Sequence, residues 1–214
     1  MLITGATLVI VSLLTFYGQN VGNFIMSLDE DLKERQIYMS ETEDFLLPTA
    51  SLQAGAVKGA RDITYSMMHI EEAVNNDGNY KDPYFKYVAY TFYVKNMGDE
   101  TTSLEYETQI TVNKNDLDKA IRVMIISQID GKREDSIYML PDTEEAVYVD
   151  MPECKYFINE RLIMRERVDY FFPDQVLKFT VFLWLEGQDP DTTADVLGGQ
   201  IKLQMKFTGL ETED

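Results

Sequence analysis

With 214 residues, 37 acids against 19 bases and a formal net charge of −18, the chain is long enough for one good core. Its acidity excludes nucleic acid and an anionic membrane surface as electrostatic partners. A single cysteine, Cys154, excludes an intramolecular disulfide framework, and a single histidine, His69, excludes a zinc site built on two histidines.

The first 28 residues carry no charged side chain and include the apolar run LITGATLVIVSLLTFY, residues 2–17. This predicts a signal or signal-anchor segment over residues 1–28. Membrane contact is expected through residues 2–24, because extension to Phe24 supplies the ~20 residues that a bilayer requires. Cuts after Gly18 or Gly22 would place Phe16 or Asn20 at position −3, where signal peptidase needs a small residue, so retention as an anchor is expected. The remaining chain then lies outside the cell, tethered to the membrane or secreted to the cell surface.

Residues 29–60 read as an extended linker or donor-strand arm, opening on the charged run DEDLKER. From residue 61 to 214 the pattern predicts strands with a period of two. The first is expected over residues 63–70, closed by the turn formers Asn75, Asn76, Asp77, Gly78 and Asn79. YFKYVAYTFYVK, residues 84–95, is aromatic and β-branched. In residues 103–112, Leu104, Tyr106, Thr108, Ile110 and Val112 alternate with polar residues. One helical turn is expected over 115–119, capped by Asn115 or Asp116, and a buried strand over 121–127. Asp130-Gly131 marks a hairpin.

Short strands are expected near 136–140 and 145–151. Residues 154–165 fit either a helix or an irregular excursion, and 161–170 reads as extended. In 176–186, Leu177, Phe179, Val181, Leu183 and Leu185 form an unbroken apolar face, and Phe182 and Trp184 on the other face mark a central strand. Ile201, Leu203, Met205 and Phe207 alternate through the last one. The expected fold is mainly β: an antiparallel β-sandwich, jelly-roll or immunoglobulin-like, preceded by one N-terminal hydrophobic helix.

Catalytic chemistry has few residues to use. A Ser-His-Asp triad would have to recruit His69, which falls within a strand pattern, and Cys154 has no partner cysteine nearby in sequence. No Gly-rich phosphate loop occurs, so no enzyme activity is expected. The loop GQDPDTTADVLGG places Asp189, Asp191 and Asp195 at a spacing that supplies oxygen ligands to calcium, although it does not follow the EF-hand order. The competing reading is a turn in which Asp side chains cap backbone amides. No other cofactor is expected.

FFPDQVLKFTVFLWLEGQDPD, followed by Gly198-Gly199 and the closing IKLQMKF, resembles N-terminally anchored surface proteins of Gram-positive bacteria, as does YGQNVGNF after the apolar run. More distantly, the signal-like N-terminus, the turn in VKNMGD and the Pro-containing entry to a long strand are similar to the TasA/camelysin group of exported biofilm-fibre subunits. That resemblance implies a structural or adhesive role at the cell surface and self-association by strand donation, with residues 21–28 or 37–40 as donor. The alternative from another class is an anchored extracellular module binding carbohydrate or calcium.

Overall fold

The computed structural model describes residues 24–196 and 198–210. They form two mixed sheets. In the first sheet the order is β10 (Leu162–Phe171), β6 (Thr102–Lys114), β12 (Gln200–Leu210), β1 (Phe24–Leu28) and β3 (Ser51–Ala54). In the second it is β2 (Ile37–Ser40), β5 (Val88–Asn96), β11 (Val176–Leu185), β7 (Ile121–Ile129), β8 (Lys132–Met139) and β9 (Cys154–Tyr156), with the two-residue β4 (Gly78–Asn79) also paired to β5. Two short α-helices, α1 (Glu30–Glu34) and α2 (Ile70–Val74), and three 3₁₀ turns lie between the strands.

Period-two patterning decides which face of each strand is buried. Leu104, Tyr106, Thr108 and Ile110 of β6 face inward, as do Leu203, Met205 and Phe207 of β12 and Leu177, Phe179, Val181 and Leu183 of β11. The two inner faces meet through aromatic rings. Phe179 of the second sheet lies 5.1 Å from Tyr106 and 5.5 Å from Phe207 of the first, both in tilted-edge geometry that suits the ring quadrupoles. β11 is covered on its other face as well, where Phe182 and Trp184 pack with Met124, Ile126 and the α2 residues Ala73 and Val74. That double burial is why its sequence is apolar almost throughout.

The all-antiparallel expectation is corrected at two places, since β1 pairs parallel with β12 and β9 parallel with β8. The sheets also begin earlier than residue 61. β1 lies between β12 and β3 with Phe24, Met26 and Leu28 buried, and β2 and β3 are likewise sheet members. Residues 24–28 are therefore part of the β fold rather than of an apolar helix, and 29–60 is no free arm. The rest of the expected apolar helix, residues 1–23, lies outside the described residues. Among the described residues, no helix is long and apolar enough to cross a membrane.

Three local expectations change. Residues 65–74 hold a 3₁₀ turn (Tyr65–Met67) and α2 instead of a strand, because Ile70, Ala73 and Val74 present one helical face to β5 and β11. The turn expected over 115–119 is a 3₁₀ turn, Leu117–Lys119, entered through Asp116 in the left-handed region without a side-chain cap. Residues 145–151 form no strand, and Val147 is 85% exposed. The Asp130-Gly131 hairpin joins β7 to β8 with positive φ at both residues, as the right-handed twist of the strands requires.

Candidate functional site

Where β5, β7 and β12 begin and β6 and β11 end, the sheets leave an open cleft of about 560 Å³. This volume lies in the range of small-molecule sites, roughly 300–1,000 Å³. Its floor is the end of the inner core, formed by Val88, Ile121, Leu183 and Ile201. One wall is a strap over residues 56–60. Gly55 N–H, at its start, donates to Asn79 Oδ1 at 2.6 Å, and Lys86 Nζ donates to the Lys58 carbonyl at 3.4 Å. The opposite wall includes Val196, Gly198 and Gly199. Glycine is required at 199, since a Cβ there would sit 2.8 Å from the Val196 carbonyl oxygen and 3.0 Å from that of Lys114.

The segment that leads into this second wall is fixed by a buried polar network. Trp184, which lines the cleft, donates its indole N–H to Glu186 Oε2 at 2.8 Å, and Glu186 Oε1 accepts the Gln188 amide at 3.1 Å. Arg122, directly opposite Trp184 in the β7–β11 register, is fully buried. Its Nη1 donates to Asp189 Oδ2 at 2.7 Å and to the Ile121 carbonyl at 3.0 Å. Its Nη2 donates to Asp142 Oδ1 at 3.3 Å and to the Tyr148 hydroxyl at 2.5 Å. The guanidinium also lies 4.9 Å from the centroid of the Tyr148 ring, a cation–π contact.

Asp189 Oδ1 accepts the Asp191 amide at 2.7 Å, and the Asp191 carboxylate in turn accepts from Thr143 N–H at 3.1 Å and Thr143 Oγ1 at 2.5 Å. A buried ion pair offsets its desolvation only when its remaining donors and acceptors are filled. Here nearly all are, with Arg122 Nε the exception. Burial pushes the Asp189 carboxyl upward, opposed by the Asp191 amide and by Arg122. The network's physical effect is to set the position of the loop after β11.

These contacts decide the fate of the expected calcium ligands. Asp189 is turned into the protein against Arg122, Asp191 is turned toward Thr143, and Asp195 lies exposed in a 3₁₀ turn, Ala194–Val196. The three carboxylates do not converge. Among the described residues no group of three or more His, Cys, Asp or Glu side chains is placed to hold a metal ion. The loop is instead a turn held by aspartates capping amides, with an added ion pair that sequence spacing does not reveal.

His69, the other residue with potential chemistry, is held by a carboxylate: its Nδ1 lies 2.6 Å from Asp82 Oδ2. Asp82 also accepts the Tyr87 hydroxyl at 2.8 Å and the amides of Tyr84 and Phe85 at 2.8 and 2.9 Å. The Asp82 hydrogen bond raises the His69 pKa above its ordinary value. Burial acts to raise that of Asp82, but the Tyr84 and Phe85 amides, the Tyr87 hydroxyl and His69 together bring it below the usual carboxylate range. Among the described residues no serine, threonine or cysteine side chain hydrogen-bonds the His69 ring. Burial pushes the Cys154 thiol up to about 11, which leaves it protonated and unreactive at neutral pH.

Arg122 is the residue that pattern reading missed. Its signal was a lone cation inside the apolar run IRVMIIS. No family model, curated protein or solved structure matches the chain.

Proposed function

We propose that the two sheets form a β-sandwich and that the chain is an exported cell-surface protein with a structural or adhesive role, in which the N-terminal strand is exchangeable between copies. The observation that carries this reading is the placement of β1. It is five residues long, the first element of the described chain, parallel to the last strand, and inserted between β12 and β3 rather than added at an edge. Each of its inward side chains, Phe24, Met26 and Leu28, is worth roughly 1.5–3 kcal/mol on full burial, and without β1 the facing groups of β12 and β3 would be unpaired. A β1 from a second copy would satisfy the same groups equally well. The choice between the two is then set by effective concentration along the linker and at the cell surface. The uncharged residues 1–23 ahead of β1 support export or tethering.

The test is the mass and cellular fraction of the protein in its native cells. Full-length chain in the membrane fraction supports the tethered form, and shortened chain in sheared, high-molecular-weight surface material supports the fibre. Intact chain confined to the soluble cell interior would contradict both. A second reading, an anchored binding module, is favoured by the end cleft. It is not favoured by the acidic loop.

A further inference from the structure

We infer that the end cleft is the seat of the chain's own residues 18–23, GQNVGN, which prolong β1 backward between the strap and the start of β12. The two registers that hold β1 carry this. Phe24 stands opposite Ala54 on one side and Leu203 on the other. Two residues further back, the antiparallel register leads to Ala56 and the parallel one to Ile201; four residues back, they lead to Lys58 and Gly199. All four line the cleft, which is thus the gap between the segments that flank β1, where both run on past Phe24. Gln200 and Ile201 pair with Lys114 and Asn113 of β6 on one side, and their other side borders this gap, where a longer β1 meets it.

The segment's composition fits the place. The inward positions of β1 are Phe24, Met26 and Leu28, so alternation brings Gly22 and Asn20 inward next. Gly22 falls level with Ile201, where the absence of a side chain lets the backbone close down on the floor of Val88, Ile121 and Leu183. Asn20 falls level with Lys58 and Gly199, past that floor. None of the six residues is charged, so covering the apolar floor buries no charge. Six residues at about 3.3 Å each cover about 20 Å, so the apolar run 2–17 ends beyond the strap. Attachment at the cleft's edge holds the segment there at an effective concentration on the order of millimolar, and a free ligand would have to displace it.

The inference rests on the register of β1 and holds whether β1 comes from the same chain or from a second copy. The experiment uses the purified full chain carrying Cys154→Ser and one of two cysteine pairs, Gly22→Cys/Ala56→Cys or Asn20→Cys/Lys58→Cys, each directly opposite in the prolonged register. Beside them stands an offset pair, Gly22→Cys/Ala60→Cys, four residues or about 13 Å out of register along a strand. Melting of the reduced proteins checks that each has folded. The expected result is that both opposite pairs close a disulfide under a mild oxidant at least tenfold faster than the offset pair, with the link located by peptide mapping. If Gly22→Cys prevents folding, the pair at 20 and 58 decides alone, closing in the folded protein or not. Equal rates for opposite and offset pairs, or no closure in folded protein, would overturn the inference and leave the cleft to another occupant. The gel keeps this result separate from strand exchange: a link within one chain supports the cleft assignment while contradicting exchange, and covalent multimers support both.

Discussion

β1 and β9 are both short, both the parallel partner of a longer strand, and differ in everything else. β1 has a strand on each side and buries Phe24, Met26 and Leu28, whereas β9 pairs with β8 alone, at the edge of its sheet, and leaves Tyr156 64% exposed. Hydrogen-bonded pairing is common to both, so it does not explain their different weight. What separates them is apolar burial and the number of neighbours left unpaired when the strand leaves. A five-residue strand can thus hold a sheet together when it lies inside, while a similar one at the margin serves mainly to cover an edge.

The sharpest way to break this comparison is to place a charge on the inner face of β1. Met26→Asp buries an unpaired carboxylate and is expected to destabilise by at least about 4 kcal/mol, seen as loss of the cooperative thermal transition. Near β9 the support is polar, and Asp189→Asn keeps the shape while removing the charge that faces Arg122. A loss of about 2–3 kcal/mol in chemical denaturation is expected, together with freer proteolysis of the loop after β11.

A smaller effect, dependent on pH, comes from His69→Gln. His69 has a folded pKa raised by Asp82, so the histidine's contribution is fully present below its unfolded value and fades as pH rises through the folded one. The variant should therefore fall further below the parent in melting temperature at pH 5.5 than at pH 8.5. Tyr156→Ser on β9 is expected to change stability by no more than about 0.5 kcal/mol. A loss comparable to that of Met26→Asp would erase the distinction between the two strands.

Long strands were legible in the sequence because strict apolar–polar alternation over ten residues fits an extended backbone and not a helical one. β6, β11 and β12 stand where their patterns placed them. β1 was hidden by its neighbours. Phe24–Leu28 has no charged residue and continues an apolar run, so composition merged it with a membrane segment, although its in-out burial is regular. α2 was misread because apolar residues from 63 onward fit a period of two, whereas the spacing of Ile70, Ala73 and Val74 fits a helix.

The site was less legible than the fold. The aspartates of the acidic loop stand out by their spacing, but their partner Arg122 lies 67 residues away in sequence, and no local spacing encodes that contact. The cleft is assembled from the ends of five strands and the strap at 56–60, each ordinary on its own.

Strand exchange is tested most directly by trapping β1 on its partner. Ser27 stands beside Lys206 in the β1–β12 register. A chain carrying Ser27→Cys and Lys206→Cys, with Cys154→Ser, would be expressed in native cells and oxidised on the cell surface, then run without reductant. The account predicts a ladder of covalent multimers from surface material. A single monomer band with an internal crosslink, and no ladder in any fraction, would show that β1 stays in its own sheet and would contradict the proposed role.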